Sequence, residues 1–415
     1  MHSPDTKAPP LAVWALGLTQ IVGYGTLFYS FSVLAPAMAL ELALPQQWVF
    51  GALSAALFLG SLFAPVAGRW ADRFGAGRVL TAGSLAASAA LAACALAPGR
   101  ASFVAALIAM ELASCFVLYA TAFAAIVQLG PVGAQRSITH LTLIAGFAST
   151  LFWPLTSLLH ENLTWREVYL AFAALNLLVC LPIHAWLIRL SRRRRNAMAT
   201  HASAASGDHV PLDASRMRTV FLLMLAGFAI EGFVLSAILL HMVPLLSVLG
   251  LGTAGVMVSA LFGPSQVASR LINMVFGGRL SQTLLAVIAA SLLAAGLLVL
   301  ILASPSVAGI ALFVVLFGLG SGLASIVGGT LPLELFGRAG YGARLGWVSG
   351  ARQFSSSFAP FVFAFMMAQW SVGISLWWLV GIGSAGTAIF AVIALVHHRS
   401  LRNALPPRAA LLPVD

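Results

Sequence analysis

The chain has 415 residues, of which 60% are hydrophobic and 8% are charged. Soluble domains contain about 45–50% apolar and about 25% charged residues. This composition therefore excludes a soluble globular protein and indicates an integral membrane protein. The formal net charge of +11 at pH 7 then reflects either membrane topology or an anionic partner.

Apolar runs of about 20 residues, the length that crosses a bilayer as a helix, follow one another along the chain. Charged residues, Pro or Gly separate twelve such runs. They lie at residues 11–36, 48–68, 79–97, 102–128, 137–159, 168–189, 219–244, 253–277, 283–303, 307–335, 345–368 and 373–396. This order predicts an all-α polytopic membrane protein with twelve transmembrane helices, with eleven or thirteen as alternatives.

The positive charges follow one side of the predicted membrane. The first ten residues are polar and rich in proline, and the first apolar run is too long for a signal peptide, so we expect the first helix to stay in the membrane. With the N-terminus inside, 18 of the 22 Lys and Arg residues lie on the cytoplasmic side, in agreement with the positive-inside rule. The sequence thus predicts a multi-pass protein of the cell (inner) membrane with both termini cytoplasmic, and its charge gives no evidence of nucleic-acid binding.

A polar segment divides the predicted helices into two groups of six. This segment, SRRRRNAMATHASAASGDHVPLDASRMR, is poor in aromatic residues, as flexible linkers are. Short echoes between the groups, such as Gly68-Arg-Trp and Gly278-Arg-Leu after spans 2 and 8, are typical of duplicated membrane folds. We predict an N-terminal half at 1–190, a cytoplasmic flexible linker at 191–218, a C-terminal half at 219–396 and a cytoplasmic tail at 397–415.

The sequence contains no pattern typical of an enzyme or a metal site. Cys94, Cys115 and Cys180 each lie within a predicted span, where a free cysteine behaves as a small hydrophobic residue. No CxxC, HExxH or GxSxG motif occurs. We therefore predict no enzymatic activity, no cofactor and no bound metal, and we expect a monomer whose partners are the lipid bilayer and a small-molecule substrate.

The stretch GRWADRFGAGR concentrates charge between predicted spans 2 and 3. It resembles the signature loop of the major facilitator superfamily, G-x-L-A-D-R-x-G-R-K, in spelling and in position, and the resemblance extends over essentially the whole chain. The resemblance implies a transporter that rocks one half against the other, in which Asp72 reaches the cytoplasmic start of helix 11 and nearby arginines when the cytoplasmic side is shut. The gating residues that it implies are Gly68, Asp72, Arg73, Gly75 and Arg78. The alternative is that the arginines only set the topology.

Within the superfamily, the chain most resembles the monocarboxylate and oxalate–formate carrier branch. The segments that carry this likeness are VGYGTLFYSFSVL (22–34), HMVPLL (241–246), GPSQVASR (263–270) and LFG (335–337). Arg270 matches the arginine on helix 8 of the branch. Phe28 and Gln266 depart from it, because animal monocarboxylate carriers have a lysine and an aspartate there. The resemblance therefore favours a small organic anion in general over lactate–proton cotransport.

The signatures of drug antiporters in the same superfamily are mostly missing. Glu111 stands where their helix 4 has an arginine, and only Gly146 and Pro154 remain of their helix 5 pattern. A proton-coupled exporter of drugs or other amphipathic compounds is nevertheless the alternative function. An apolar cavity with Glu111 or Glu231 as its necessary charge would suit such an exporter.

Four ionisable residues fall within predicted spans, where each costs about 2.5–3.5 kcal/mol on insertion scales and is a functional candidate. They are Glu111, Glu231, Arg270 and Arg352. The two arginines could clamp an anion, since guanidinium forms paired hydrogen bonds with carboxylate. Alternatively, Arg270 pairs with Glu231, and Arg352 pairs with a backbone carbonyl or with Glu334. For proton coupling, Glu231 is the first candidate and Glu111 the second; either could instead be protonated and hydrogen-bonded.

Tyr24, Tyr119 and Asn273 are polar residues on apolar predicted helices, and we expect them to line a cavity with Arg270 and Arg352 as the substrate-binding set. The alternative is hydrogen bonding between helices, worth about 0.6 kcal/mol on average. The sequence thus predicts a secondary active transporter that moves a small solute by alternating access. The predicted solute is an organic anion such as a monocarboxylate, with a co-transported proton as a further candidate partner.

Overall fold

The computed structural model of the chain describes residues 7–130, 132–200, 214–251 and 253–404. In this part of the chain, the helices form twelve consecutive segments. Their bounds are α1 Pro10–Glu41, α2 Gln46–Phe74, α3 Ala76–Ala95, α4 Arg100–Leu129, α5 Ala134–His160, α6 Trp165–Leu175 with Asn176–Cys180 and Leu181–Thr200, α7 Ala214–Leu246, α8 Thr253–Ser259 with Phe262–Phe276, α9 Gln282–Ala303, α10 Val307–Phe336, α11 Tyr341–Gln369 and α12 Val372–Ala404.

Ten of the twelve segments in the described residues are long and apolar enough to cross a membrane. The other two are α8, which is broken into two shorter helices, and α11, which carries Arg344, Arg352 and three consecutive serines. Each of the twelve predicted spans overlaps one segment. The predicted all-α polytopic membrane fold with twelve helices is confirmed.

The break in the middle of α4 is satisfied by side chains. At Leu118 the backbone is extended, with φ −83° and ψ −171°. Backbone groups freed by such a break need protein partners, because lipid offers none. The Gln20 amide donates to the Val117 carbonyl oxygen at 2.7 Å, and the Thr121 hydroxyl donates to the Cys115 carbonyl oxygen at 3.1 Å. A second helical part of α4 therefore begins just after the break.

Two of the four Lys and Arg residues that the predicted topology does not place in the cytoplasm are Arg100 and Arg166, which it places outside; both bind the ends of helices in the first half. Arg100 donates from Nε and Nη2 to the carbonyl oxygens of Leu42 and Ala43, each at 2.8 Å. Arg166 Nε lies 2.6 Å from Glu41 Oε1. These bonds link the end of α1 to the starts of α4 and α6. They give a structural role to two arginines whose positions the positive-inside rule does not explain.

The two halves share an apolar core at one end of the molecule. One buried cluster of the first half draws residues from α1 to α6 and also includes Leu333, Tyr341 and Leu345 of the second half. This end, where α2 ends and α11 begins, is called the signature-loop end below. The halves therefore meet around the segment that the sequence singled out.

The predicted linker at 191–218 is helical at both of its ends. α6 continues to Thr200 and α7 begins at Ala214, since arginine, frequent at these ends, is a good helix former. Residues 201–213 of the predicted linker and residues 405–415 of the predicted tail lie outside the described residues. The boundaries of the halves stay a prediction.

Candidate functional site

A seam of small residues joins α2 to α11 at the signature-loop end. Along α11, glycines recur every four residues at Gly342, Gly346 and Gly350. A Cβ on Gly346 would lie 2.5 Å from the Ala64 carbonyl oxygen, and one on Gly350 would lie 2.7 Å from the Ser61 carbonyl oxygen. Small residues at such spacing let membrane helices approach backbone to backbone. A side chain at these glycine positions would therefore force α2 and α11 apart.

Gly68 belongs to the same seam, on α2. A Cβ on this residue would overlap the Gly342 carbonyl oxygen. Glycine is thus needed at position 68 because of close backbone approach. Gly75 is needed for a different reason: its φ of +92° lies in a region that L side chains rarely adopt.

Asp72 caps the first turn of α11. Its Oδ1 accepts a hydrogen bond from the Gly342 N–H at 2.9 Å, and its Oδ2 accepts one from the Ala343 N–H at 2.8 Å. A helix start leaves unpaired N–H groups and a partial positive charge, both of which favour a carboxylate. The acidic residue of the loop in one half thus binds the backbone of the other half.

Within the described residues, no arginine forms an ion pair with Asp72 within 4.0 Å, although Arg344 interacts with it electrostatically. Arg344 donates to the carbonyl oxygens of Phe336 and Ala339, at 3.2 and 2.5 Å, and so closes the connection between α10 and α11. The Arg73 guanidinium lies 5.3 Å from the centre of the Phe74 ring, and Arg78 is exposed. Asp72 therefore binds the second half through backbone N–H groups.

Gln128, which the sequence analysis did not single out, holds the signature loop in place. Its amide donates to the Ala71 carbonyl oxygen at 3.0 Å, and its Oε1 accepts from the Ala76 N–H at 2.9 Å. These two partners flank Gly75 at the junction of α2 and α3. A glutamine on α4 thus fixes the turn next to Asp72. The one sequence signal that could have pointed to it is that it is a polar residue on a largely apolar helix.

Arg270, on α8, is 5% exposed and binds both halves. Its Nε donates to the Ser325 hydroxyl on α10 at 3.1 Å, and its Nη1 donates to the Thr142 carbonyl oxygen on α5 at 3.1 Å. A Cβ on Gly146 would overlap Nη1, so this glycine makes room for the guanidinium. Within the described residues, no ion pair within 4.0 Å joins Arg270 to Glu231. The alternative of a direct Arg270–Glu231 pair is not what the structure contains.

Arg352, on α11, is half-buried. It interacts electrostatically with Glu231 and with the phenol groups of Tyr24 and Tyr119. Glu334 is not its partner, because Glu334 accepts hydrogen bonds from the backbone N–H groups at the start of α9, the nearer one at 2.8 Å. Arg352 is thus close enough to a buried carboxyl group and two tyrosines to interact with each of them electrostatically.

Three half-buried tyrosines of the first half form a cluster opposite the arginines. The ring centres of Tyr24 and Tyr119 are 4.7 Å apart, and those of Tyr24 and Tyr29 are 6.5 Å apart. Arg270 interacts electrostatically with Tyr29 and Tyr119. The sequence analysis missed Tyr29, because residues five apart lie on different faces of a regular α-helix, about 140° apart. The tyrosine cluster below means Tyr24, Tyr29 and Tyr119.

Asn273 lies one turn beyond Arg270 and stands apart from the tyrosine cluster. Its Oδ1 is buried without a hydrogen-bond partner. A Cβ on Gly277 would overlap that oxygen, so the side chain lies over the end of its own helix. Of the five predicted substrate-binding residues, the structure brings together Arg270, Arg352, Tyr24 and Tyr119.

The two predicted coupling residues occupy the interiors of different halves. Glu231 on α7 is 5% exposed, and its Oε2 has no hydrogen-bond partner. Beside it lies a small apolar cavity between α7, α9 and α12, whose lining includes Gly227, Gly383 and Phe390. Glu111 on α4 is 3% exposed, and the Ser114 hydroxyl lies 3.4 Å from its Oε2. Of these two carboxyl groups, Glu231 is the one that interacts electrostatically with Arg352.

A sequence profile described as Major Facilitator Superfamily matches residues 16–360. No curated protein sequence matches the chain. Among solved structures, the human organic anion transporter MFSD10 (TETRAN) is 15% identical with a TM-score of 0.71, covering 94% of this chain and 100% of that one. The proton:xylose symporter XylE bound to 6-bromo-6-deoxy-D-glucose is 13% identical with a TM-score of 0.69, covering 91% of this chain and 95% of that one. This chain belongs to the major facilitator superfamily, as the matched profile shows and as the helices and the signature loop agree.

Proposed function

We propose that this secondary transporter moves small organic anions by alternating access. The observation that carries the proposal is the pairing of Arg270 and Arg352, from the second half, with the tyrosine cluster of the first half. A solute bound between them touches both halves, as rocking transport requires. The substrate class is small carboxylates, with monocarboxylates as the first candidates.

The charges of the site favour an anion over a cation or a neutral solute. Within the described residues, Arg352 makes no ion pair within 4.0 Å, and the hydrogen bonds of Arg270 use Nε and Nη1. A guanidinium group has five N–H donors in a fork that fits a carboxylate. Arginine at membrane depth is costly unless a partner or a function compensates. A bound carboxylate supplies that partner.

The signature-loop end is the gate in this proposal. The Asp72 cap and the glycine seam close that end, and the distribution of Lys and Arg assigns it to the cytoplasm. The structure then corresponds to a state closed toward the cytoplasm, in a cell (inner) membrane with both termini cytoplasmic. Return to the other state requires α2 and α11 to separate.

Proton coupling is assigned to Glu231. A buried carboxyl group whose Oε2 has no hydrogen-bond partner, and which interacts electrostatically with Arg352, responds both to protonation and to an anion arriving at that arginine. Glu111 is the second candidate. Of the two similar structures, one is described as an organic anion transporter and the other as a proton:xylose symporter, which supports both an anionic substrate and coupling to protons as options on this fold.

Thermal unfolding of the purified protein with formate, lactate, oxalate and benzoate tests the proposal. Xylose and tetraphenylphosphonium serve as neutral and cationic comparisons. A carboxylate at 100 times its dissociation constant should stabilise the wild type by about 2.7 kcal/mol. Arg352→Gln should abolish this stabilisation, and Arg399→Gln, which removes an exposed arginine at the end of α12, should keep it. Stabilisation by xylose or tetraphenylphosphonium alone would overturn the proposal and, in the cationic case, favour an exporter of amphipathic compounds.

A further inference from the structure

Two wide helical turns face each other inside the first half. α1 widens at Gly25–Tyr29 and α6 widens at Asn176–Cys180. In each turn, a backbone N–H group donates a hydrogen bond to the carbonyl oxygen five residues earlier. In α1 the Ser30 N–H donates to Gly25, and in α6 the Leu181 N–H donates to Asn176. Such π turns are rare and frequently occur at functional sites.

A side-chain hydrogen bond links the two wide turns. The Asn176 amide donates to the Thr26 hydroxyl at 2.9 Å and to the Phe172 carbonyl oxygen at 2.9 Å. The Thr26 hydroxyl in turn donates to the Val22 carbonyl oxygen at 2.8 Å. Asn176 is 1% exposed and Thr26 is 0% exposed. A buried chain of donors thus runs from α6 into the backbone of α1.

The wide turn in α1 also packs against α5. A Cβ on Gly25 would overlap the ring of Phe152, so α1 packs against that ring with its bare backbone. The turn therefore contacts both Phe152 of α5 and Asn176 of α6.

The wide turn decides where Tyr24 and Tyr29 lie. On a regular α-helix these residues would lie about 140° apart around the axis. The i to i+5 bonding of the wide turn moves them toward the same face, and their ring centres are 6.5 Å apart. Both then join Tyr119 opposite the two arginines. The tyrosine cluster exists because α1 is wide at this point.

We propose that Asn176 is a positioning residue for the anion site: through Thr26 it holds the wide turn of α1, which brings Tyr24 and Tyr29 together facing Arg270 and Arg352. This inference rests on the proposed function for its ligand. Asn176 itself lies behind α1, on α6, and acts on the site only through Thr26.

Single substitutions isolate the hydrogen bond. Asn176→Leu keeps the approximate volume and removes the donor, while Thr26→Val removes only the hydroxyl. Thr26→Ser keeps the hydroxyl and should restore the wild-type behaviour. Ser88→Ala is the matched control, because Ser88 makes a similar buried bond from α3 to α6, to the Ala173 carbonyl oxygen at 2.8 Å.

Fluorine NMR of protein labelled with 3-fluorotyrosine reads the tyrosines directly. The chain has 5 tyrosines, and single Tyr→Phe variants assign their signals. Asn176→Leu and Thr26→Val should shift the Tyr24 and Tyr29 signals, leave the Tyr341 signal in place, and weaken benzoate binding by about three- to tenfold, the range expected for one lost hydrogen bond. Thr26→Ser and Ser88→Ala should match the wild type in both measurements.

Unchanged Tyr24 and Tyr29 signals in both Asn176→Leu and Thr26→Val would overturn the positioning role, as would equal shifts in Ser88→Ala. Wild-type protein that binds none of formate, lactate, oxalate or benzoate would contradict the proposed function instead. The fluorine signals need no ligand, so they decide the positioning role in either case. If Asn176→Leu fails to fold, Thr26→Val carries the test.

Discussion

The carboxylate of Asp72 lies 2.9 Å from the backbone nitrogen of Gly342, which places an acidic side chain of one half on the helix start of the other. Only a short movement of α11 away from α2 is needed to break this bond. The Gly342 and Ala343 N–H groups each donate one hydrogen bond to Asp72 across the seam, and both bonds must break for α2 and α11 to separate. The gating predictions follow from this contact.

Asp72→Asn should shift the protein toward the state open at the signature-loop end. The amide keeps one acceptor but loses the charge, which is worth about 0.3–1 kcal/mol at an exposed helix start, or about a two- to fivefold change in the closed-to-open ratio. Labelling of cysteines introduced on α2 and α11 measures this ratio, with Glu161→Gln, at the other end of α5, as the control. Wild-type labelling together with wild-type transport would refute the gating role of Asp72.

Gly346→Ala should prevent full closure, because the new methyl group would lie 2.5 Å from the Ala64 carbonyl oxygen. Gly381→Ala is the matched control, since nothing lies within 4 Å of its added methyl group. We expect slow transport and high cysteine labelling at the signature-loop end for the first variant only. Equal transport by the two variants would show that the seam need not close.

Glu231→Gln should abolish accumulation of substrate against a gradient while leaving exchange of labelled for unlabelled substrate intact. Exchange needs no net proton movement, whereas accumulation driven by protons does. Both rates are measured in proteoliposomes with and without a pH gradient, with Glu111→Gln beside it. Loss of exchange in Glu231→Gln would instead assign this carboxyl group to substrate binding or to stability.

Arg270→Lys should weaken anion binding even though the charge is kept, because lysine cannot reproduce the fork that contacts Ser325 and Thr142. Arg270→Ala should weaken it further. Since no ion pair within 4.0 Å joins Arg270 to Glu231 in the described residues, adding Glu231→Ala to Arg270→Ala should recover no stability. Recovery of melting temperature in the double variant, with anion binding intact, would show that the arginine serves the carboxyl group.

The helices and the signature loop could be recognised from the sequence, whereas much of the site could not. Span lengths and the charges between spans are local properties, so the twelve segments follow from the order of apolar runs along the sequence. Tyr29 ends a wide turn in which Thr26 accepts a hydrogen bond from Asn176, 150 residues further along the chain. Gln128 binds the signature loop from 52 and 57 residues away. Hydrogen bonds of this kind have no sequence spacing and become visible only in the folded chain.

For a related reason, the sequence could not show which ionisable side chains contact each other. Arg270 and Glu231 lie on neighbouring predicted spans, which suggested a pair, but helix rotation turns Glu231 toward the cavity beside α9 and α12. Arg270 turns instead toward Ser325 and Thr142. Which way a side chain points on a uniformly apolar helix is set by packing, because such a helix has little amphipathic pattern to read.

Exchange of labelled formate, lactate, oxalate and benzoate in proteoliposomes tests the central claim most directly. The claim is that an organic anion binds between the two arginines and the tyrosine cluster. Wild-type protein and Arg399→Gln should exchange at least one of the four carboxylates, and Arg352→Gln should exchange none of them. Exchange by Arg352→Gln at the wild-type rate, or labelled xylose exchanging where no carboxylate does, would contradict the account.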